Sequence, residues 1–151
     1  MNPAVAAFRS THGRPPRVLH IGNIANNAYI NAKLLNEAGF ECDVICYDYY
    51  HIMGSPEWED ADIEGEIDDQ FRPDWTRVDL GGFERPVWFA QGPLWLCLAY
   101  LTARATGDSG LADRLWRKLG SANRTRSYLA GPRWIHPLLI RMRRLVPTQP
   151  S

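Results

Sequence analysis

The stretch Arg17-Val-Leu-His-Ile-Gly-Asn-Ile-Ala-Asn-Asn-Ala-Tyr-Ile-Asn-Ala-Lys-Leu-Leu-Asn-Glu-Ala-Gly39 decides the fold of this chain. Val18, Leu19 and Ile21 make a short, nearly continuous apolar run, the pattern of a strand covered on both faces. Gly22 lets the backbone turn sharply, and Asn26 or Asn27 suits a helix N-cap, whose side-chain oxygen accepts a first-turn N–H. Ala28, Ala32 and Leu35 then fall at i, i+4 and i+7, which gives a helix one narrow apolar face. Gly39 supplies the left-handed residue that ends such a helix, and Val44, Ile45 and Cys46 within residues 42–47 form a second strand. Strand, tight turn, helix and strand in this order make a βαβ unit, the opening of a parallel sheet whose ligands lie beyond the carboxyl ends of its strands.

Downstream the pattern changes twice. Residues 48–84 lose regular periodicity, with Gly54, Pro56 and Pro73 as punctuation and one helical turn expected over residues 56–62. A third strand is expected at residues 86–90, after Gly81-Gly82. Pro93 then begins a helix with Leu94, Leu98, Leu101 and Ala105 on one face, broken over residues 106–110. Leu111, Leu115 and Leu119 mark another helix, ended by Gly120. Beyond Gly131-Pro132, Ile135, Leu138, Leu139, Met142 and Leu145 mark a last one, backed by Arg133, Arg141, Arg143 and Arg144. The expected fold is therefore α/β: a Rossmann-like open parallel sheet of about three strands flanked by helices, with a helical C-terminal part. Residues 1–16 read as a loose leader, 17–131 as the domain carrying the 48–84 excursion, and 132–151 as a basic amphipathic helix and tail.

The 151 residues are enough for one domain with a real core, and 45% apolar content excludes a disordered chain. Zero net charge conceals a division. Residues 41–84 hold 14 acids against Arg72 and Arg77, a net of −12, whereas residues 101–151 hold 10 bases against Asp108 and Asp113, a net of +8. Cys42, Cys46 and Cys97 lie in apolar runs without zinc-site spacing, which points to buried free thiols in a reducing cytoplasm. The longest apolar run, residues 86–101, is interrupted by Gln91, Gly92 and Pro93 and falls short of the ~20 residues of a membrane span.

Three constellations can carry chemistry. The turn with Gly22, Asn23, Asn26 and Asn27 places helix N-terminal N–H groups where an anion such as phosphate binds; it is equally a tight turn with capping asparagines. It is neither a three-glycine dinucleotide fingerprint nor a P-loop. Asp48, Tyr50, His51, Glu57 and Trp58 follow the second strand at the same sheet edge. Ring faces and carboxylates there suit carbohydrate, and His51 beside carboxylates is a general-base candidate; packing of a long loop by the same rings is the alternative. Trp134, Arg141, Arg143 and Arg144 suit a helix lying on an anionic membrane surface, or a solvated basic face. The acids of residues 57–69 lack Ca-loop spacing, so no metal is expected, and no motif for nucleic acid accompanies the basic helix.

Through Val18-Leu-His-Ile-Gly-Asn23, Asn36-Glu-Ala-Gly39 and Asp43-Val-Ile-Cys-Tyr47, the first third of the chain resembles the N-terminal half of GT-B glycosyltransferases of the family-4 (group 1) type. The resemblance implies an acceptor-side domain facing a second, nucleotide-sugar-binding one, with sugar transfer in the cleft between them and no metal or other cofactor beyond the nucleotide-sugar co-substrate. It places Gly22 and Asn23 near the donor phosphates or sugar, and the loops after the strands, with Tyr50, His51 and Trp58, near a saccharide or lipid-linked acceptor. The family often has two adjacent glycines in that turn, where this chain has Gly22-Asn23. The glutamate pair of the donor half has no counterpart here, so the chain by itself is expected to be an inactive, apparently truncated half, cytoplasmic or peripheral to a membrane. A non-catalytic module for a nucleotide, another small ligand or a partner protein is the competing expectation.

Overall fold

The computed structural model describes residues 2–122. In chain order these form helix α1 (Pro3–His12), strand β1 (Arg17–Ile21), helix α2 (Asn27–Glu37), strand β2 (Glu41–Cys46), a short helix α3 (Pro56–Asp60), strand β3 (Phe89–Gln91), and helices α4 (Leu94–Thr106) and α5 (Ser109–Ala122). Among the described residues the sheet is open, three-stranded and wholly parallel, in the order β1-β2-β3. The register sets Ile21 beside Ile45 and Cys46 beside Gln91, so the three carboxyl ends form one edge. The α/β architecture and the parallel βαβ opening are as expected.

Helix α2 stops as its sequence dictates. Gly39 has φ +98°, its N–H bonds Asn36 O at 3.1 Å, and Phe40 N–H bonds Leu35 O at 3.0 Å. These are the paired bonds of a Schellman cap, which satisfy carbonyls that the helix end leaves open. Only Phe40 separates Gly39 from β2, which is paired on β1 from Glu41, with Glu41 N–H on Pro16 O at 2.9 Å.

Alternation along β2 divides the core in two. Cys42, Val44 and Cys46 meet Ala28, Tyr29 and Ala32 of α2, with Phe89 of β3 on the same side. Ile45 and Ala90 face the other way, onto Leu96, Cys97, Tyr100 and Ala103 of α4 and, beyond them, Ala112 and Leu119 of α5. The three thiols are free and buried, and burial pushes Cys42 and Cys46 up to about 11 and Cys97 to about 12. They act as small apolar side chains, not nucleophiles.

Several expectations need correction. Residues 1–16 are not a loose leader throughout. Asn2 Oδ1 accepts Ala4 N–H at 2.9 Å, Pro3 opens α1, Gly13 closes it in the left-handed region, and Val5 is buried. β1 is covered on one face only: Val18 and His20 lie toward α2, whereas Leu19 and Ile21, on the α4 side, are 48% and 64% exposed. Apolar content alone does not separate an edge strand from a central one. β3 begins later than expected because a turn, closed by Phe89 N–H on Pro86 O at 2.9 Å, takes up the preceding residues. On α4 the leucine stripe is not the buried one. Leu96, Cys97, Tyr100 and Ala103 face the sheet, while Leu98 is 40% exposed and borders, with Leu101, a groove beside Leu19. Gly120 does not end α5, which continues to Ala122. The basic helix with Trp134, Arg141, Arg143 and Arg144 lies outside the described residues. Among the described residues no helix is long and apolar enough to cross a membrane.

Candidate functional site

At the carboxyl edge, Gly22 turns with φ +89° and donates its N–H to Ile45 O at 2.7 Å. Asn23 and Asn26 then point inward, each 1% exposed. Asn23 Nδ2 donates to Gly54 O at 2.9 Å and to Asn26 Oδ1 at 3.1 Å, and Asn26 Nδ2 donates to Ser55 O at 2.9 Å. Asn23 Oδ1 accepts Tyr29 N–H at 2.9 Å, so it satisfies the first turn of α2 from a distance. Neither Asn26, at the cap position, nor Asn27 does this. Asn27 is exposed and accepts from Asn31 Nδ2 at 2.7 Å. The four residues read as an anion site are therefore separated. Two of them tie the β1–α2 turn to the segment 54–55, one turns the chain, and one faces solvent.

That closure needs Gly54. A Cβ there would stand 2.3 Å from Tyr49 Cδ1, 2.5 Å from its Cε1 and 3.0 Å from Asn23 O. The second constellation is separated too. His51 Nδ1 accepts Met53 N–H at 3.2 Å and its ring meets Phe71 edge-on at 5.3 Å, which secures the loop. Tyr50 is half-buried, bonds Tyr47 O at 3.2 Å and lies under the Arg72 guanidinium, while Asp48 and Trp58 are exposed. Burial, ahead of neighbouring charges, pushes the Tyr50 hydroxyl well above the ordinary phenol range.

Glu57 goes elsewhere. Proline at the first position of α3 sets the helix, and Glu57 next to it is 4% exposed and turned inward. Arg85 holds both its oxygens, Nε on Oε1 and Nη2 on Oε2, each at 2.8 Å. Arg85 Nη1 donates to Gln91 Oε1 at 2.8 Å, and Gln91 Nε2 donates to Tyr49 O at 3.1 Å. The guanidinium lies 5.6 Å from the centre of the Phe89 ring. This bidentate pair is the most buried ion pair among the described residues, with side chains 16% and 6% exposed. It forms one wall of a half-open cavity of about 240 Å3, lined as well by Trp75, Trp116 and Leu119, with Asp74 and Thr76 at its side. Gln91 ends β3, so the cavity stands at a strand's carboxyl end, where ligands of parallel sheets bind. A carboxylate, a planar cation, an amide and two indole rings converge there, a set that hydrogen-bonds hydroxyls and stacks on C–H surfaces.

Among the described residues, Glu57 alone of those chosen from sequence lines this cavity. Arg85, Gln91, Trp75 and Trp116 were missed. The one available signal was Arg85 itself, a base next to the long acid-rich stretch and able to neutralise one buried carboxylate.

A second cluster braces the site from outside. Tyr29 OH donates to Asp60 Oδ2 at 2.5 Å, and Lys33 Nζ lies 2.8 Å from both Asp60 oxygens, which ties α2 to α3. Partial burial pushes the Asp60 carboxyl up, but the Lys33 and Tyr29 hydrogen bonds outweigh it and hold the group below the ordinary range. A depressed carboxyl stabilises the fold above the unfolded value of about 3.9 and loses that contribution as pH falls through its folded value. The thermal midpoints of wild type and Asp60→Asn are therefore expected to differ at neutral pH and to converge below about pH 4. A constant difference across that range would remove the linkage.

Among the described residues no group of three or more His, Cys, Asp or Glu is arranged to hold a metal ion. No protein-family model, curated protein or solved structure matches the chain, so the site stands on its geometry.

Proposed function

We propose that this domain binds a hydroxyl-rich ligand of single-ring size in the Glu57–Arg85–Gln91 cavity and acts as the acceptor side of a nucleotide-sugar-dependent glycosyltransferase. The observation that carries this reading is the pairing of two indole rings with a hydrogen-bonding carboxylate, guanidinium and amide at the carboxyl end of β3. Size favours the acceptor. Ligand pockets for larger molecules run from about 300 to 1,000 Å3, and a cavity of about 240 Å3 is too small for a nucleotide-sugar. In this reading the donor is held by a second α/β domain facing the carboxyl edge. Glu57 is a binding residue and not a general base, because both its oxygens are engaged by Arg85.

Titration of the purified chain, followed by the indole N–H resonances of its tryptophans, tests the proposal. Methyl glucoside is expected to shift the Trp75 and Trp116 signals and to bind about tenfold more weakly to Trp75→Ala, in line with loss of one ring stack. Sugar-nucleotide turnover by the chain alone is expected to be undetectable. Tight binding of a nucleotide with no response to the glycoside would instead favour a non-catalytic nucleotide-binding module.

A further inference from the structure

An arginine in a cavity wall ordinarily suggests an anionic ligand, such as a phosphate or a carboxylate. Here the surrounding geometry argues the opposite. Of the five N–H donors of the Arg85 guanidinium, three are held by Glu57 and Gln91. The pair is bidentate and almost enclosed, and separating such a pair leaves a charge buried without compensation. An entering anion would have to compete with Glu57, a carboxylate already in place with both oxygens aligned.

The other charge in the wall is also matched. Asp74 Oδ1 accepts from Thr76 N at 3.1 Å and Oγ1 at 2.6 Å, and its Oδ2 lies 3.3 Å from Arg77 Nε. The wall therefore holds two carboxylates, each with its own arginine, together with the indole side chains of Trp75 and Trp116. It offers two guanidinium N–H groups to hydroxyl oxygens and carboxylate lone pairs to hydroxyl protons.

Building on the saccharide reading above, we propose that the cavity selects an uncharged polyol ring and rejects its anionic counterparts, with Glu57 as the residue that sets this selectivity. Glu57 occupies the place that a ligand carboxylate or phosphate would otherwise take on Arg85. Charge selectivity is thus built into the protein by an internal anion.

The test uses the full chain and three probes: methyl glucoside, methyl glucuronide, which differs by a carboxylate at C6, and inorganic phosphate. Each is titrated against the Trp75 and Trp116 indole signals. The neutral glycoside is expected to bind at least about tenfold more tightly than the glucuronide, with no response to phosphate. In Glu57→Gln, whose fold is checked by circular dichroism, the uncompensated guanidinium is expected to reverse the order. Glucuronide should gain about tenfold or more, the scale of one hydrogen bond to a charged group. Equal or tighter binding of glucuronide by wild type would overturn the selectivity and leave saccharide binding intact. A folded Glu57→Gln with unchanged order would overturn the role of Glu57. Silence of both indoles toward both glycosides would overturn the selectivity and the saccharide reading together. The wild-type comparison decides the selectivity even if the variant does not fold.

Discussion

Asn23→Ala is expected to lower the free energy of unfolding by roughly 3–5 kcal/mol, because it leaves buried partners unpaired at about 1–3 kcal/mol each. The side chain serves Tyr29 N–H, Gly54 O and Asn26 Oδ1 at once, from a position 1% exposed. Asn27→Ala, four residues on and exposed, is expected to change stability by less than about 0.5 kcal/mol. Urea unfolding followed by tryptophan fluorescence measures both. The contrast separates two roles that look alike in the sequence. A ligand-contacting Asn23 would tolerate alanine with little loss of stability, so a change below about 1 kcal/mol would sink the structural assignment.

The second large effect is expected at Glu57. Its replacement by alanine removes one half of a buried bidentate pair and strands the Arg85 charge, which costs about 3–5 kcal/mol in comparable settings. Arg85→Ala strands the carboxylate instead and is expected to cost a similar amount. The double replacement Glu57→Leu/Arg85→Met fills the same space without charge and should recover most of the loss. A double-mutant cycle in urea gives the coupling directly. Additive single effects would mean that the two side chains do not act as a pair, and the account of the cavity wall would fail with them. One prediction concerns the seam between the β1–α2 turn and residues 54–55, the other the Glu57–Arg85 pair in the cavity wall.

Legibility of the fold followed the range of the interactions. The Schellman cap at Gly39 uses bonds between residues three and five apart, and the pattern that announces it fits within α2. Helix α1 rests on equally local signals, with Asn2, Pro3 and Gly13 in capping positions, although residues 1–16 carry no apolar periodicity that marks them as a helix. The cavity belongs to another category. Glu57 and Arg85 are 28 residues apart, Asn23 and Gly54 31, and Gln91 and Tyr49 42. No periodicity links such pairs, since the segment between them is irregular and its path depends on the sheet already formed.

By itself the sequence determined the parallel βαβ opening, the order of its elements and the burial of its thiols, because strand alternation, helix caps and glycine turns act within a few residues. Only the tertiary structure decided which asparagine caps α2, which stripe of α4 meets the sheet, and that Glu57 turns inward onto Arg85. Those outcomes depend on desolvation. A polar side chain becomes a seam, a wall or a solvent-facing group according to what else is brought against it, and that is set by the packed chain as a whole.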